Sequence, residues 1–321
     1  MKVQMSARLV VLSMLAMVAG GGCNEDAARE NAGSVIVVQT DADRAPFDGD
    51  LLDQSLGHDA GLSADSASSD ALSEDDPTAP LLDPEFVMDE VILLPADSGF
   101  DLDDDGTPDN ALALLFSDPL VGQALGGDPN EFIARTVRRG ELLLLLDFHQ
   151  LSDYSNDRRH HIDIFLGRDE DDRRRNNFEG DGRFFIGCSS LTNAGEPESQ
   201  FNDVRLEGGR LQGAGGQFRF LVSFSNTEVL LRNGRIEASM APDGMRLTDG
   251  QIGGAVSYAD LEEVVLNDPE IGPDFARIML AFISRELDVD LSGDGTRDAL
   301  SASFRFSAVR AEILRDLPCR D

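Results

Sequence analysis

Residues Asp101 to Asp109 read "DLDDDGTPD". Asp101, Asp103 and Asp105 take alternate positions, Gly106 allows a sharp turn, Thr107 can offer its backbone carbonyl, and Asp109 falls where a direct or water-mediated ligand belongs. Alternate spacing in a tight loop turns the carboxylates toward one point, where unpaired they repel strongly. A hard cation that takes about six to eight oxygens relieves the repulsion. The spacing favours calcium over magnesium, which demands a smaller octahedral cage.

The same grammar recurs in "DLSGDGTRDAL", from Asp290 to Leu300. Asp290, Ser292 and Asp294 alternate, Gly295 turns, Thr296 follows and Asp298 holds the ninth position. Ser292 replaces an aspartate, so this copy carries less charge and is expected to bind more weakly. Both stretches resemble the calcium loops of thrombospondin type 3 repeats, dockerins and EF-hands over about nine residues. They depart from the EF-hand and dockerin pattern at the twelfth position of the first copy, Leu112, where those families carry a Glu or an Asp. A closing ligand has to come from elsewhere in the fold, or the site is weak. If the two ends of the folded region meet, the ions would staple them together.

Other constellations are weaker. His160 and His161 precede a strand pattern, but neighbours on a strand point to opposite faces and make a poor metal pair. No GxSxG, HExxH, phosphate loop or strand-preceded GxGxxG occurs, and "IGCSS" around Cys188 has no histidine near it in sequence. Paired acids for glycoside chemistry would leave no spacing signature among 60 acidic residues. Whether the chain is an enzyme is therefore left open, with no catalytic residue assigned.

The elements that must position these loops begin after an export signal. Residues 1–22 carry Lys2 and Arg8, an apolar run from Leu9 to Val18 too short to span a bilayer, and small residues before Cys23. The ending Gly-Gly-Cys resembles the lipobox of bacterial lipoproteins, which implies acylation of Cys23 and attachment to a membrane. Gly20 departs from the aliphatic residue usual there, and cleavage after Ala19 or Gly20 is the alternative. With Cys23 acylated, Cys188 and Cys319 remain in an oxidising compartment and are expected to pair; two free thiols are the alternative. Residues 23–84 are rich in Ala, Asp, Ser and Gly with little periodicity, which reads as an acidic disordered tether.

Residues 85–321 are regular and form one expected domain. "DPNEFIARTVRRG" offers Asp128 as N-cap, Pro129 at the first helical position, Glu131 in the capping-box position, an apolar stripe of Phe132, Ile133 and Val137, and Gly140 as the stop. A second helix is expected in "GPDFARIMLAFISREL", with Phe275, Ile278, Met279, Phe282 and Ile283 on its core face. Between them the period is two: Ile162, Ile164 and Leu166; Phe218, Phe220, Val222 and Phe224; and later Phe304 and Phe306. "EGGRLQG", "NGRIEA" and "DGQIGG" read as hairpin turns between successive strands. The fold class is mainly β with some helix (α+β), an antiparallel meander closing into a sandwich or barrel.

Sixty acidic against 27 basic residues give a net charge of −33, which repels a nucleic-acid backbone. The layout resembles uncharacterised lipoproteins of Gram-negative bacteria, a likeness that implies location and calcium and no activity. The function expected is that of an exported, lipid-anchored protein of the outer membrane, facing periplasm or cell surface, with a calcium-stabilised domain for binding or structure. Its partner would be a protein, a glycan or an apolar ligand; a carrier of an apolar ligand, or an unrecognised hydrolase, is the alternative.

Overall fold

The computed structural model describes residues 81–119, 127–171, 177–222, 227–268, 271–315 and 317–320. The signal segment, Cys23 and the acidic tether up to residue 80 lie outside the described residues, as do Phe224 and the side chain of Val222.

Nine strands form one sheet: β1 (Glu85–Leu93), β2 (Leu144–His149), β3 (Asp157–Asp169), β4 (Gly182–Ile186), β5 (Gln200–Glu207), β6 (Arg210–Val222), β7 (Thr227–Met240), β8 (Arg246–Ser257) and β9 (Ala299–Ile313). Because β1 pairs with both β2 and β9, and β3 with both β2 and β5, eight of them close into an antiparallel barrel. The ninth, β4, lies outside the ring, antiparallel to the end of β3 and parallel to the end of β9.

Alternation decides what fills the barrel. Ile162, Ile164 and Leu166 of β3, Phe218 and Phe220 of β6, and Phe304 and Phe306 of β9 all point into the main core, as their spacing predicts. The continuous run in β2 splits by parity: Leu144, Leu146 and Phe148 go inward, while Leu145 joins a smaller outer core with Val87, Phe165 and Phe184 beneath β4. The apolar part of β2 thus has both faces covered.

Of the three expected turns, one is a turn. Gly208 and Gly209, at φ 58° and 79°, join β5 to β6. Asn233–Gly234 lies within β7 and Asp249–Gly250 within β8, each where the register shifts. Asn233 and Asp249 take positive φ (51° and 48°) as single bulge residues, which bend a long strand around the barrel instead of reversing it. Gly216 has a different task, since a Cβ there would stand 2.3 Å from the Phe201 ring inside the barrel.

Four short helices close one end: α1 (Ala111–Ser117), α2 (Pro129–Arg138), α3 (Tyr258–Asn267) and α4 (Pro273–Ile283). In α2 the Asp128 side chain accepts from the Asn130 N–H and Ile133 and Val137 are buried, as expected. In α4 Met279 and Ile283 are buried, but Ile278 is 50% exposed because only one side of this helix meets the barrel.

At the opposite end His160 is buried with neither ring nitrogen hydrogen-bonded. Its ring stacks on Phe148, and the nearest carboxylate oxygen, on Asp157, stands 3.6 Å from Nδ1, too far for a hydrogen bond. Burial lowers its pKa from the ordinary 6.5 despite Asp157. A lowered folded-state pKa means that the unfolded chain binds the proton first. This residue's contribution is intact above about pH 6.5 and declines by up to about 1.4 kcal/mol per unit as pH falls toward the folded value. Urea melts of wild type and His160→Leu between pH 5 and 8 should therefore diverge below pH 6.5, with the wild type losing more; parallel curves would show that the imidazole is not buried neutral.

Candidate functional site: two acidic loops and a capped cavity

The first acidic loop leaves the end of β1 and the second enters β9, and both fold the same way. In the first, the Asp101 carboxylate accepts from the N–H groups of Asp105 (3.1 Å) and Gly106 (2.9 Å), Asp105 accepts from Thr107 N–H (2.8 Å), and Asp109 accepts from Leu102 N–H (2.7 Å). In the second, Asp290 accepts from Asp294 (3.3 Å) and Gly295 (2.7 Å), Asp294 from Thr296 (2.8 Å), and Asp298 from Leu291 (2.8 Å). Positive φ falls at matching places, Asp104 and Gly106 in one, Gly293 and Gly295 in the other. Two segments far apart in sequence have thus reached one backbone solution.

The loops are neighbours. Phe100 and Leu102 of the first pack with Val289 of the second and with Ala255 and Ala299 on the outer wall of β8 and β9. Arg297 reaches across to Asp103 at 3.4 Å, and Arg235 of β7 holds Asp104 at 3.1 Å. Below them, Asn110 bonds the Leu94 carbonyl (2.7 Å), and the Ser301 hydroxyl accepts from Ala111 N–H, the start of α1 (2.7 Å).

Of the expected ligands, Asp101, Asp103 and Asp109 bring carboxylate oxygens within 4.8 Å of one another. Asp105 is turned to the Thr107 N–H instead. Among the described residues no such trio forms from Asp290, Asp294 and Asp298, and the Ser292 hydroxyl donates to Asp290 (3.2 Å). Burial raises the Asp109 pKa, opposed by the Leu102 N–H and assisted by the charges of Asp103 and Asp105. Asp290 is lowered, chiefly by the Gly295 N–H. Leu112, at the family's twelfth position, turns into the apolar space under the helices, so it supplies no ligand. An all-oxygen trio in a loop already closed by its own N–H groups fits a hard cation such as calcium, with solvent completing the shell.

The second feature is that apolar space, a cavity of about 110 Å³ where the barrel mouth meets the helices. Leu93, Phe220, Leu231 and Phe304 form its floor; Leu115 of α1, Ile133 of α2, Val265 of α3 and Met279 of α4 form its roof. Among the described residues no charged side chain lines it.

Two charged constellations escaped the sequence reading. On the outer wall Asp147, only 1% exposed, takes both nitrogens of an Arg315 fork that also reaches Glu85. Burial raises the pKa of Asp147 and of Glu85 against the pull of Arg315. Beside it, His149 Nε2 lies 2.9 Å from Asp163, and the His149 and His161 rings stack at 4.2 Å. The signal was an aspartate and a histidine of equal parity in an otherwise apolar strand. Cys188 and Cys319 stand at disulfide distance, with Cα atoms 4.9 Å apart. No family model, curated protein or solved structure matches the chain.

Proposed function

We propose that the chain is an exported, lipid-anchored β-barrel protein of the cell envelope that binds a small apolar molecule beneath its helical cap, with calcium in the acidic loops bracing that cap. One observation carries the reading: a cavity lined by apolar side chains is roofed by helices, of which α1 follows the first loop and α3 begins on the second. Helix α1 starts one residue after Asn110, and the first N–H of α3, on Tyr258, donates to the Asp298 carbonyl at 2.8 Å. Aliphatic cavities on the order of 150 Å³ admit a benzene-sized guest, so the size at hand suits a single ring or a short acyl segment. Longer ligands need the cap to move.

Calcium enters through residues, in order of strength, Asp101, Asp103 and Asp109, then Asp290, Asp294 and Asp298, with the carbonyls of Thr107 and Thr296 as further donors. When bound it supplies charge neutralisation that no described cation completes, since Arg297 meets only Asp103. The acylated residue is Cys23, from the sequence pattern alone.

Three measurements test these parts separately. Calcium at a hundredfold excess over Kd adds about 2.7 kcal/mol, which for a domain of this size raises Tm by roughly 5 to 10 °C. Asp103→Asn should lose that response yet melt like wild type in chelator, because it removes repulsion along with a ligand; a wild-type Tm indifferent to calcium and chelator removes the ion. For the ligand, toluene should raise the wild-type Tm, and Ala302→Leu, which fills the cavity from β9, should abolish the rise; an equal rise in both would place the guest elsewhere. For the anchor, labelled palmitate should enter wild type expressed in a Gram-negative host and not Cys23→Ser; unchanged labelling excludes Cys23.

A further inference from the structure

The outer wall of β2 and β3 carries a second ion site of different chemistry. The register places Asp147 opposite Asp163 and His149 opposite His161, and with Phe148 and Ile162 turned into the barrel these four side chains share the outer face. Donor atoms of His149, His161 and Asp163 lie within 4.8 Å of one another. His149 Nε2 is 2.9 Å from Asp163 and 3.4 Å from Asp147. We propose that His149, His161 and Asp163 bind one divalent transition-metal ion, of which zinc suits the donor set best.

Three observations support the assignment. The first is charge. Asp147, Asp163 and Glu85 are all largely buried, with Arg315 paired to Asp147 and Glu85 and Arg310 also acting on Glu85. Among the described residues no guanidinium pairs with Asp163, whose carboxylate charge a bound cation would offset. Second, the imidazoles stack at 4.2 Å and 12° between planes, which sets the two rings side by side on adjacent strands next to the Asp163 carboxylate. The third is chemical type. Two imidazole nitrogens and one carboxylate select zinc and its neighbours over calcium, which takes oxygen. Donors around tetrahedral zinc stand about 3.3 Å apart for bonds of about 2.0 Å, so His149 and Asp163 are already close enough, and His161 brings its donor within 4.8 Å of both. Arg315 occupies Asp147, which leaves the fourth position to water.

Zinc titration by calorimetry on the full chain in millimolar calcium, which saturates the acidic loops and exposed carboxylates, tests this. Wild type should bind one zinc, and His149→Gln and His161→Gln should each weaken it at least tenfold, while Asp103→Asn leaves it unchanged. Equal affinity in wild type and the double histidine variant, or a loss that follows Asp103→Asn instead, overturns the site. Should the variants melt below wild type without metal, cobalt-loaded wild type decides. Of the four histidines in the chain, two should show paramagnetically shifted imidazole resonances; none shifted, or a pair including His160, refutes the proposal.

Discussion

The barrel depends on one pairing, between β1 and β9, the first and last strands of the described chain. Register runs from Phe86 opposite Arg310 to Leu93 opposite Phe304. Without it both strands are edges with unpaired backbone groups, and the core drains to solvent. The entropy of closing so long a loop grows only logarithmically, so its thermodynamic cost is modest, but non-local pairing makes the search slow. The same closure explains why the acidic loops meet. As β1 and β9 are antiparallel, the loop that leaves one and the loop that enters the other emerge at the same end, over the outer face of β8. The link between Cys188 and Cys319 closes 131 residues around the far end of β9 and constrains the unfolded chain by about 5 kcal/mol on the chain-entropy account.

The outer wall near β4 shows where closure alone is insufficient. β1 and β2 pair only from Glu85–Asp147 to Val87–Leu145, and their apolar outer side chains need cover, which Phe184 of β4 and Ile313 of β9 supply. The cover also buries Asp147 and Glu85. Two carboxylates taken from water cost several kcal/mol each unless paired, and the Arg315 fork is their compensation. Arg315 directly follows the last turn of backbone out of β9, so the strand that closes the barrel also delivers the cation that makes its wall tolerable.

Much of this was legible in the chain because it rests on local pattern. The parity of Phe218, Phe220, Phe304 and Phe306, the Asp128 cap and the shared grammar of the two acidic loops are written in spacing, and the structure follows them. The bulges at Asn233 and Asp249 were not legible. A residue in the left-handed region followed by glycine serves a two-residue turn or a bulge equally well, and what chooses is whether the next residues pair backward or continue along the same neighbour. Helix α1, at seven residues, lacks enough turns to show a period, and α3 buries only Val265 and so offers no stripe to read. The pairs His149–His161 and Asp147–Asp163 depend on register between strands, which no single-strand pattern carries; the adjacent pair His160–His161 attracted notice, and the strand separates it into a core imidazole and a surface one.

The cap is held in two ways. Helix α2 is stapled straight to the barrel, its Asn130 side chain accepting from Leu93 N–H at 2.8 Å and donating to the Leu93 carbonyl at 3.1 Å. Helix α1, directly after the first loop, begins on a hydrogen bond to Ser301 of β9, α3 begins on one to Asp298 of the second loop, and α4 runs into that loop through Asp288, whose carboxylate accepts from Ser301 N–H. The large exposed apolar side chains of the cap follow that division: Leu114 on α1, Leu266 on α3 and Ile278 on α4, with none on α2. The three helices beside the acidic loops adjoin closely spaced carboxylates, whose mutual repulsion weakens their fixed position.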